Sequence, residues 1–182
     1  MRVVALLLCA IAGGASSGCL VLSLQPAYDA ESVAFDESLV GQWINADDQT
    51  EAAFERSEWR SYKVVYKDRF AAHVLQANLT RVGDTEYLDL TEQRGSDPGL
   101  YLVPLHGIVR IELHGDTLVA SLLDYGWFSR ELERKASGRL PTAFDDRRNV
   151  VIVSTTSELR RWLSRPPVDA FAASMTFKRS RN

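Results

Sequence analysis

Three predicted β-hairpins in the middle of this sequence constrain its fold more than any other feature. In the last of them, Gly115-Asp116 is a two-residue turn that places Ile111 opposite Ala120 and Leu113 opposite Leu118. These apolar partners share one face, and a shift of the register by one residue would move them to opposite faces. The pattern therefore predicts antiparallel strands with one apolar side.

The two earlier hairpins follow the same rule. Gly83-Asp84 is predicted to turn a hairpin in which Leu79 lies opposite Leu88. Asp68-Arg69 is predicted as the turn of the first hairpin, and its apolar side would then consist of three pairs: Tyr66 with Ala71, Val64 with His73, and Tyr62 with Leu75.

Two short helices are predicted near the C-terminus. Residues 127–136 have helical spacing, and Thr155 and Glu158 match a capping box at the start of a second helix. With these helices and a closing strand over 173–179, we expect a mainly β (α+β) fold with an antiparallel up-and-down meander of about eight or nine strands. Because closure removes exposed edges, a lipocalin-like barrel or a strongly curved sheet is favoured.

The first 18 residues have the pattern of a secretory signal peptide. Met1-Arg2 is positively charged, and residues 3–12 form an apolar run that is shorter than the roughly 20 residues of a membrane-spanning helix. We therefore expect a signal peptide over 1–18, a lipid anchor and tether over 19–37, and a single β-rich domain over 38–182. A length of 182 residues is typical of one domain.

The four residues Ser16-Ser17-Gly18-Cys19 resemble a bacterial lipobox. The resemblance implies that Cys19 becomes an acylated N-terminal residue, and Leu20 after it implies an outer-membrane location facing the periplasm. Cleavage after Ser17 is the alternative, and it would leave Cys19 as a free thiol in an oxidising compartment. The whole chain also resembles bacterial envelope lipoproteins of unknown function.

The sequence Gly41-Gln42-Trp43 resembles the G-x-W start of lipocalins and of lipocalin-like bacterial lipoproteins. Those proteins are eight-stranded barrels that hold small apolar ligands. The resemblance implies that Trp43 packs at the closed end of the barrel beneath an arginine from the last strand, and Arg179 is in the corresponding place.

Composition and motif content favour none of the common catalytic or nucleic-acid-binding classes. A net charge of −3 gives no basic surplus for a phosphate backbone, so we expect no nucleic-acid partner. The three histidines, His73, His106 and His114, do not have metal-ligand spacing. We therefore expect no metal site, no cofactor and no catalytic residues.

The candidate cavity is defined by the inward face of the hairpins and by one nearby loop. Its predicted residues are Tyr62, Tyr66, His73, Leu75 and His106. His73 is interpreted either as a polar contact for a ligand or as a buried histidine bonded to Tyr62. His106 is expected to meet Asp124 or Glu92.

These observations lead to a ranked set of functions. The first is a non-catalytic, lipid-anchored envelope protein that binds a small apolar ligand or an envelope partner. The second is a structural envelope scaffold with a packed core, and the third is a hydrolase-type enzyme. The interior volume of the barrel distinguishes the first function from the second.

Overall fold

A computed structural model describes residues 20–93, 103–134 and 140–180 of the chain. The strands are β1 (Val21–Ser23), β2 (Val33–Ala34), β3 (Gly41–Asn45), β4 (Glu51–Arg56), β5 (Ser61–Lys67), β6 (Ala72–Val82), β7 (Thr85–Glu92), β8 (Gly107–His114), β9 (Thr117–Leu122), β10 (Thr142–Phe144), β11 (Val150–Ile152) and β12 (Met175–Arg179). The helices are α1 (Tyr125–Glu133) and α2 (Thr156–Leu163), with 3₁₀ turns at Glu37–Leu39 and Val168–Ala170.

Eight of these strands close into an antiparallel barrel. Seven of them, β3 to β9, pair with their neighbours in chain order, and β12 completes the circle between β9 and β3. Both helices lie in the connection between β9 and β12. The structure therefore confirms the predicted mainly β fold, its up-and-down order and its two late helices.

The register agrees with the predicted one in two hairpins and differs in the first. Leu79 pairs with Leu88 and Leu113 with Leu118, as the turns at Gly83 and Gly115 predict. In the first hairpin Tyr66 pairs with His73, so the predicted register was wrong by two residues.

Asp68 explains this shift. Its carboxylate accepts hydrogen bonds from the backbone N–H groups of Phe70 and Ala71, at 2.7 and 2.8 Å, and its own N–H donates to the Ala71 carbonyl. The connection is therefore a four-residue loop and not a two-residue turn. A shift of two residues keeps every side chain on its face, but it places His73 near the end of its strand.

The two ends of the barrel differ. We call the end with the turns at Gly83 and Gly115 and the 3₁₀ turn Glu37–Leu39 the floor, and the end with the β5–β6 loop and the start of β8 the mouth. The interior is mainly apolar, and its buried hydrophobic side chains are Leu39, Trp43, Ala52, Phe54, Tyr62, Val64, Ala77, Leu79, Leu88, Val109, Ile111, Leu118, Ala120 and Phe177.

A second core lies outside the barrel wall. Here α1, α2 and a small sheet in the order β1–β11–β10 cover outward-facing side chains of β7 and β8, among them Tyr87 and Ile108. The capping box predicted for α2 is present, with Thr155 as its N-cap. The first helix begins at Tyr125, two residues earlier than predicted, because the Asp124 side chain caps it through the N–H of Trp127.

The N-terminal segment is packed and does not form the predicted tether. Strand β1 pairs in parallel with β11, and Ser23 and Ala27 are completely buried. The segment has no regular periodicity because its side chains contact two different surfaces, the small sheet and the barrel wall. Val21 and Ala27 therefore belong to the second core, whereas Ala34 and Phe35 pack against the barrel core.

Candidate functional site

The floor of the barrel is built around Trp43 and Arg179. The guanidinium carbon of Arg179 lies 4.2 Å from the centroid of the Trp43 ring, so the structure brings together the two residues that the lipocalin resemblance pairs. Arg179 also donates to the carbonyl of Val40 at 2.8 Å and to that of Ser38. The indole N–H of Trp43 donates to the Leu39 carbonyl at 2.9 Å. These bonds satisfy carbonyls at the end of the 3₁₀ turn and hold it across the floor.

Gly41 permits this arrangement through its backbone and its lack of a side chain. Its φ is +136°, in the region that favours glycine, and a Cβ at this position would lie 2.7 Å from a terminal nitrogen of Arg179. The backbone conformation therefore favours glycine at the first position of the G-x-W sequence, and the absence of a Cβ leaves the space that the Arg179 guanidinium occupies.

Tyr62 belongs to the floor and not to a site with His73. Its hydroxyl accepts from the N–H of Asp36 at 2.7 Å and donates to the Asp36 carbonyl at 3.1 Å, and its ring stacks on Phe35. Burial raises the pKa of Tyr62 to about 12. Because β5 runs from the floor to the mouth, Tyr62 lies four residues, about 13 Å, from the level of Tyr66. The predicted contact between Tyr62 and His73 is therefore wrong.

The mouth half of the barrel interior carries apolar side chains that are partly exposed to solvent. Tyr66, Leu75, Leu90 and Met175 face inward and are only partly buried, and Leu122, at the end of β9, is 41% exposed. Most inward side chains of the floor half are buried, among them Trp43, Leu79 and Leu118, and Leu113 is partly buried. The arrangement provides an apolar, solvent-accessible lining that carries few polar groups and is suited to an apolar molecule.

His73 lies at the rim of this lining. It lies directly opposite Tyr66 in the β5–β6 hairpin, and the two residues therefore belong to the same, inward face. Its side chain is nevertheless exposed. The predicted burial of His73 was wrong because the four-residue loop moves it toward the end of the strand. Tyr66 itself is partly buried, and burial raises its pKa.

His106 lies outside the barrel, so it is not part of the cavity. Its Nδ1 is 2.6 Å from Oδ1 of Asp89, whose side chain is completely buried, and Oδ2 of Asp89 accepts from the N–H of Ala27 at 2.7 Å. The backbone of His106 exchanges two hydrogen bonds with that of Ser23. The predicted partners were wrong, and Asp124, one of them, caps α1.

Sequence reasoning missed the Asp89–His106 pair for an identifiable reason. Asp89 lies on the outer face of β7, opposite Asn78, as the register of the Gly83 hairpin requires. The pairing of β7 with β8, however, is made across a long connection without a tight-turn signal, so the partner of Asp89 is not fixed by local pattern.

The chemistry available to this pair is structural. The Ser23 hydroxyl donates to the Gln25 carbonyl at 2.7 Å, so it is not held as a nucleophile for the imidazole of His106. Over 20–93, 103–134 and 140–180, no group of three or more His, Cys, Asp or Glu side chains is placed to hold a metal ion. The pair joins the N-terminal segment to the barrel wall.

Comparison of the chain with protein-family models, with curated proteins and with solved structures finds no match. Within the part of the chain that the structure describes, neither α1 nor α2 has the length and apolar character that crossing a bilayer requires. Cys19, the predicted site of acylation, lies outside the described residues.

Proposed function

We propose that this chain is a lipid-anchored lipoprotein of the bacterial cell envelope, facing the periplasm, whose barrel binds a small apolar ligand through its mouth without catalysis. The anchoring part of the proposal is supported by the signal-peptide pattern of residues 1–18 and by the lipobox-like residues before Cys19. The binding part is supported by the barrel.

One observation carries the binding proposal: most side chains of the inward face are buried at the floor, whereas several inward side chains at the mouth are partly exposed. Residues of this face at the floor, such as Trp43, are completely buried, whereas Leu122 at the mouth is 41% exposed. An apolar side chain that faces inward and remains in contact with water gains stability when an apolar molecule covers it.

The structural scaffold is the second candidate, and the filled floor half of the barrel favours it. Most aromatic and aliphatic side chains there are buried against one another, which stabilises the barrel whether or not a ligand binds. If the mouth half closes around its own side chains in solution, no room remains for a ligand and an envelope partner would have to bind the outer surface.

A matched pair of variants on β6 tests ligand binding. Leu75 faces the interior of the mouth half, and the adjacent Val74, 37% exposed, faces outward. We expect the unmodified domain to increase the fluorescence of N-phenylnaphthylamine on binding. Leu75→Glu should weaken that binding about tenfold or more, because it places a charge against the apolar probe. Val74→Glu should leave it unchanged.

Three results would overturn the binding proposal. They are no fluorescence increase with the unmodified domain, an equal loss of binding in both variants, and a loss that follows unfolding as measured by circular dichroism. The first of these would favour the scaffold.

A further inference from the structure

Leu20, the residue that follows Cys19, is bonded to the body of the protein. The Leu20 N–H donates to Oδ1 of Asn149 at 3.0 Å, and the Leu20 carbonyl accepts from the N–H of Val150 at 2.9 Å. Leu20 is nevertheless 51% exposed, so an aliphatic side chain remains in solvent at this point. The position of Leu20 is therefore fixed on the body of the protein.

The residues after Leu20 extend this attachment into the core. Strand β1 forms a parallel ladder with β11, in which Val21 lies opposite Val150. Further along, the Ala27 N–H donates to the buried carboxylate of Asp89, and the Ala27 carbonyl accepts from Arg160 at 2.7 Å. A segment with this many buried partners does not behave as a flexible linker.

We infer that acylation of Cys19 holds the domain directly on the phospholipid surface and that the β10–β11 loop is the part that contacts the lipid headgroups. The inference rests on the lipid anchoring in the proposed function. One peptide bond joins Cys19 to Leu20, so their Cα atoms are about 3.8 Å apart. An acylated residue lies at the bilayer interface, and Leu20 must then lie beside it.

The β10–β11 loop lies next to Leu20. Asn149 bonds Leu20, and the exposed residues Asp146, Arg147 and Arg148 precede it by at most three positions, a reach of about 10 Å. The headgroup layer of a bilayer is roughly 5–8 Å thick on each side. The anchor therefore keeps the loop within about 10 Å of the bilayer interface, close enough for the guanidinium groups of Arg147 and Arg148 to bind lipid phosphates.

The loop has a defined conformation that presents these residues. The Asp145 carboxylate accepts from the N–H groups of Arg147 and Asn149 and from the Asn149 side chain, at distances of 2.7 to 2.9 Å. These hydrogen bonds lower the pKa of Asp145. Arg148 adopts φ +66° and lies over the ring of Phe144. The loop therefore contacts the membrane without first having to order itself.

Trp59 provides a reference position for testing the membrane orientation, because it lies on the side of the barrel opposite to Leu20. It lies in the β4–β5 turn at the floor and is 92% exposed. In the order of the barrel, β4 is four strands from β8, the strand beside which β1 packs, and is thus diametrically opposite to it. If the anchor fixes the orientation, Trp59 points away from the bilayer.

Quenching of tryptophan by brominated phospholipids tests the orientation. The full acylated chain is reconstituted into phosphatidylcholine–phosphatidylglycerol vesicles, with and without bromine on the acyl chains near the headgroup. The reporter is the double variant Asp146→Trp with Trp59→Phe, compared with the unmodified protein and with Trp59→Phe alone. We expect brominated lipid to quench the tryptophan fluorescence that Asp146→Trp adds and to leave the fluorescence of Trp59 unchanged.

A second variant separates the short anchor from general attraction to lipid. Ten Gly and Ser residues inserted between Cys19 and Leu20 should abolish the quenching at position 146 while acylation, measured by mass spectrometry, is retained. The inference is overturned if the insertion leaves the quenching intact, if Trp59 is quenched, or if neither position is quenched.

The possible failures can be told apart. A chain that carries no acyl group by mass spectrometry overturns both the anchoring proposal and this inference. An acylated chain that binds N-phenylnaphthylamine but shows no quenching at position 146 overturns only the inference and leaves the proposed function in place.

Discussion

Arg179 covers Trp43, with its guanidinium carbon 4.2 Å from the centroid of the indole ring. The two residues are also directly opposite each other in the ladder between β12 and β3, the pair of strands that closes the barrel. The contact therefore indicates that the barrel is closed, because it forms only when β12 pairs with β3.

The first prediction concerns the energy of this contact. Trp43→Ala should destabilise the protein by about 3–5 kcal/mol, since it removes a completely buried aromatic ring. Arg179→Ala should show a coupling of about 1 kcal/mol with it in a double-mutant cycle measured by urea unfolding. Lys178→Ala is the control, because the Lys178 side chain is exposed and bonds Thr117. Additive effects of Trp43→Ala and Arg179→Ala would mean that the two side chains do not stabilise each other.

The second prediction compares two glycines of the barrel. Gly41→Ala should destabilise the protein by about 1–3 kcal/mol, because Gly41 has φ +136° and a Cβ would approach Arg179 to 2.7 Å. Gly107→Ala should destabilise the protein much less, since a Cβ there would lie 3.8 Å from its nearest neighbours, an ordinary van der Waals distance. Equal unfolding midpoints for the two variants would contradict this account of the floor.

The third prediction uses two histidine–carboxylate pairs of different burial. Asp89→Ala should destabilise the protein by about 3–5 kcal/mol, because it leaves His106 and the N–H of Ala27 without their buried acceptor. Glu112→Ala, which removes the exposed partner of His114, should change stability by at most about 0.5 kcal/mol. Chemical denaturation at constant pH measures both. A small loss for Asp89→Ala would show that the N-terminal segment is held by its other contacts.

The fourth prediction concerns alkaline pH. The folded protein holds the pKa of Tyr62 at about 12, above its ordinary value of 10.0, because the phenol is buried. A group whose folded pKa is raised stabilises the protein below its unfolded pKa, and this contribution is lost as the pH rises from about 10 towards 12. The free energy of unfolding should therefore fall over this range.

The Tyr62→Phe variant isolates that contribution. Its free energy of unfolding should be about 0.5–1.5 kcal/mol lower at neutral pH, because the hydrogen bonds to Asp36 are removed. The decline of this free energy at alkaline pH should be shallower than in the unmodified protein. An identical slope in the variant and the unmodified protein would mean that Tyr62 does not titrate with unfolding. Urea unfolding at a series of pH values gives both slopes.

The fifth prediction concerns the anchor. Cys19→Ser should leave the protein soluble in the periplasm or unprocessed, because no thiol remains for acylation. Cell fractionation and mass spectrometry of the intact chain are the measurements. A Cys19→Ser protein that still sediments with membranes would count against the lipobox interpretation.

Residues whose structure depends on near neighbours were predicted from the sequence. The alternation along β6 and β7, the turns at Gly83 and Gly115 and the capping box at Thr155 follow local rules of backbone geometry and hydrogen bonding. The up-and-down barrel follows from them, because strands of one apolar face in chain order bury that face most simply by curling and closing.

The tertiary structure alone decided where three other features lie. His73 lies at the rim, and not at the predicted position, because the Asp68 side chain accepts hydrogen bonds from two backbone N–H groups of the β5–β6 loop. Asp89 contacts His106 because β7 and β8 pair across a long connection. Residues of the 20–37 segment are buried because α2 and the barrel wall supply surfaces for them. Turn chemistry and side-chain alternation act within a few residues and can be predicted from the sequence, whereas the burial of a segment depends on surfaces built by distant parts of the chain.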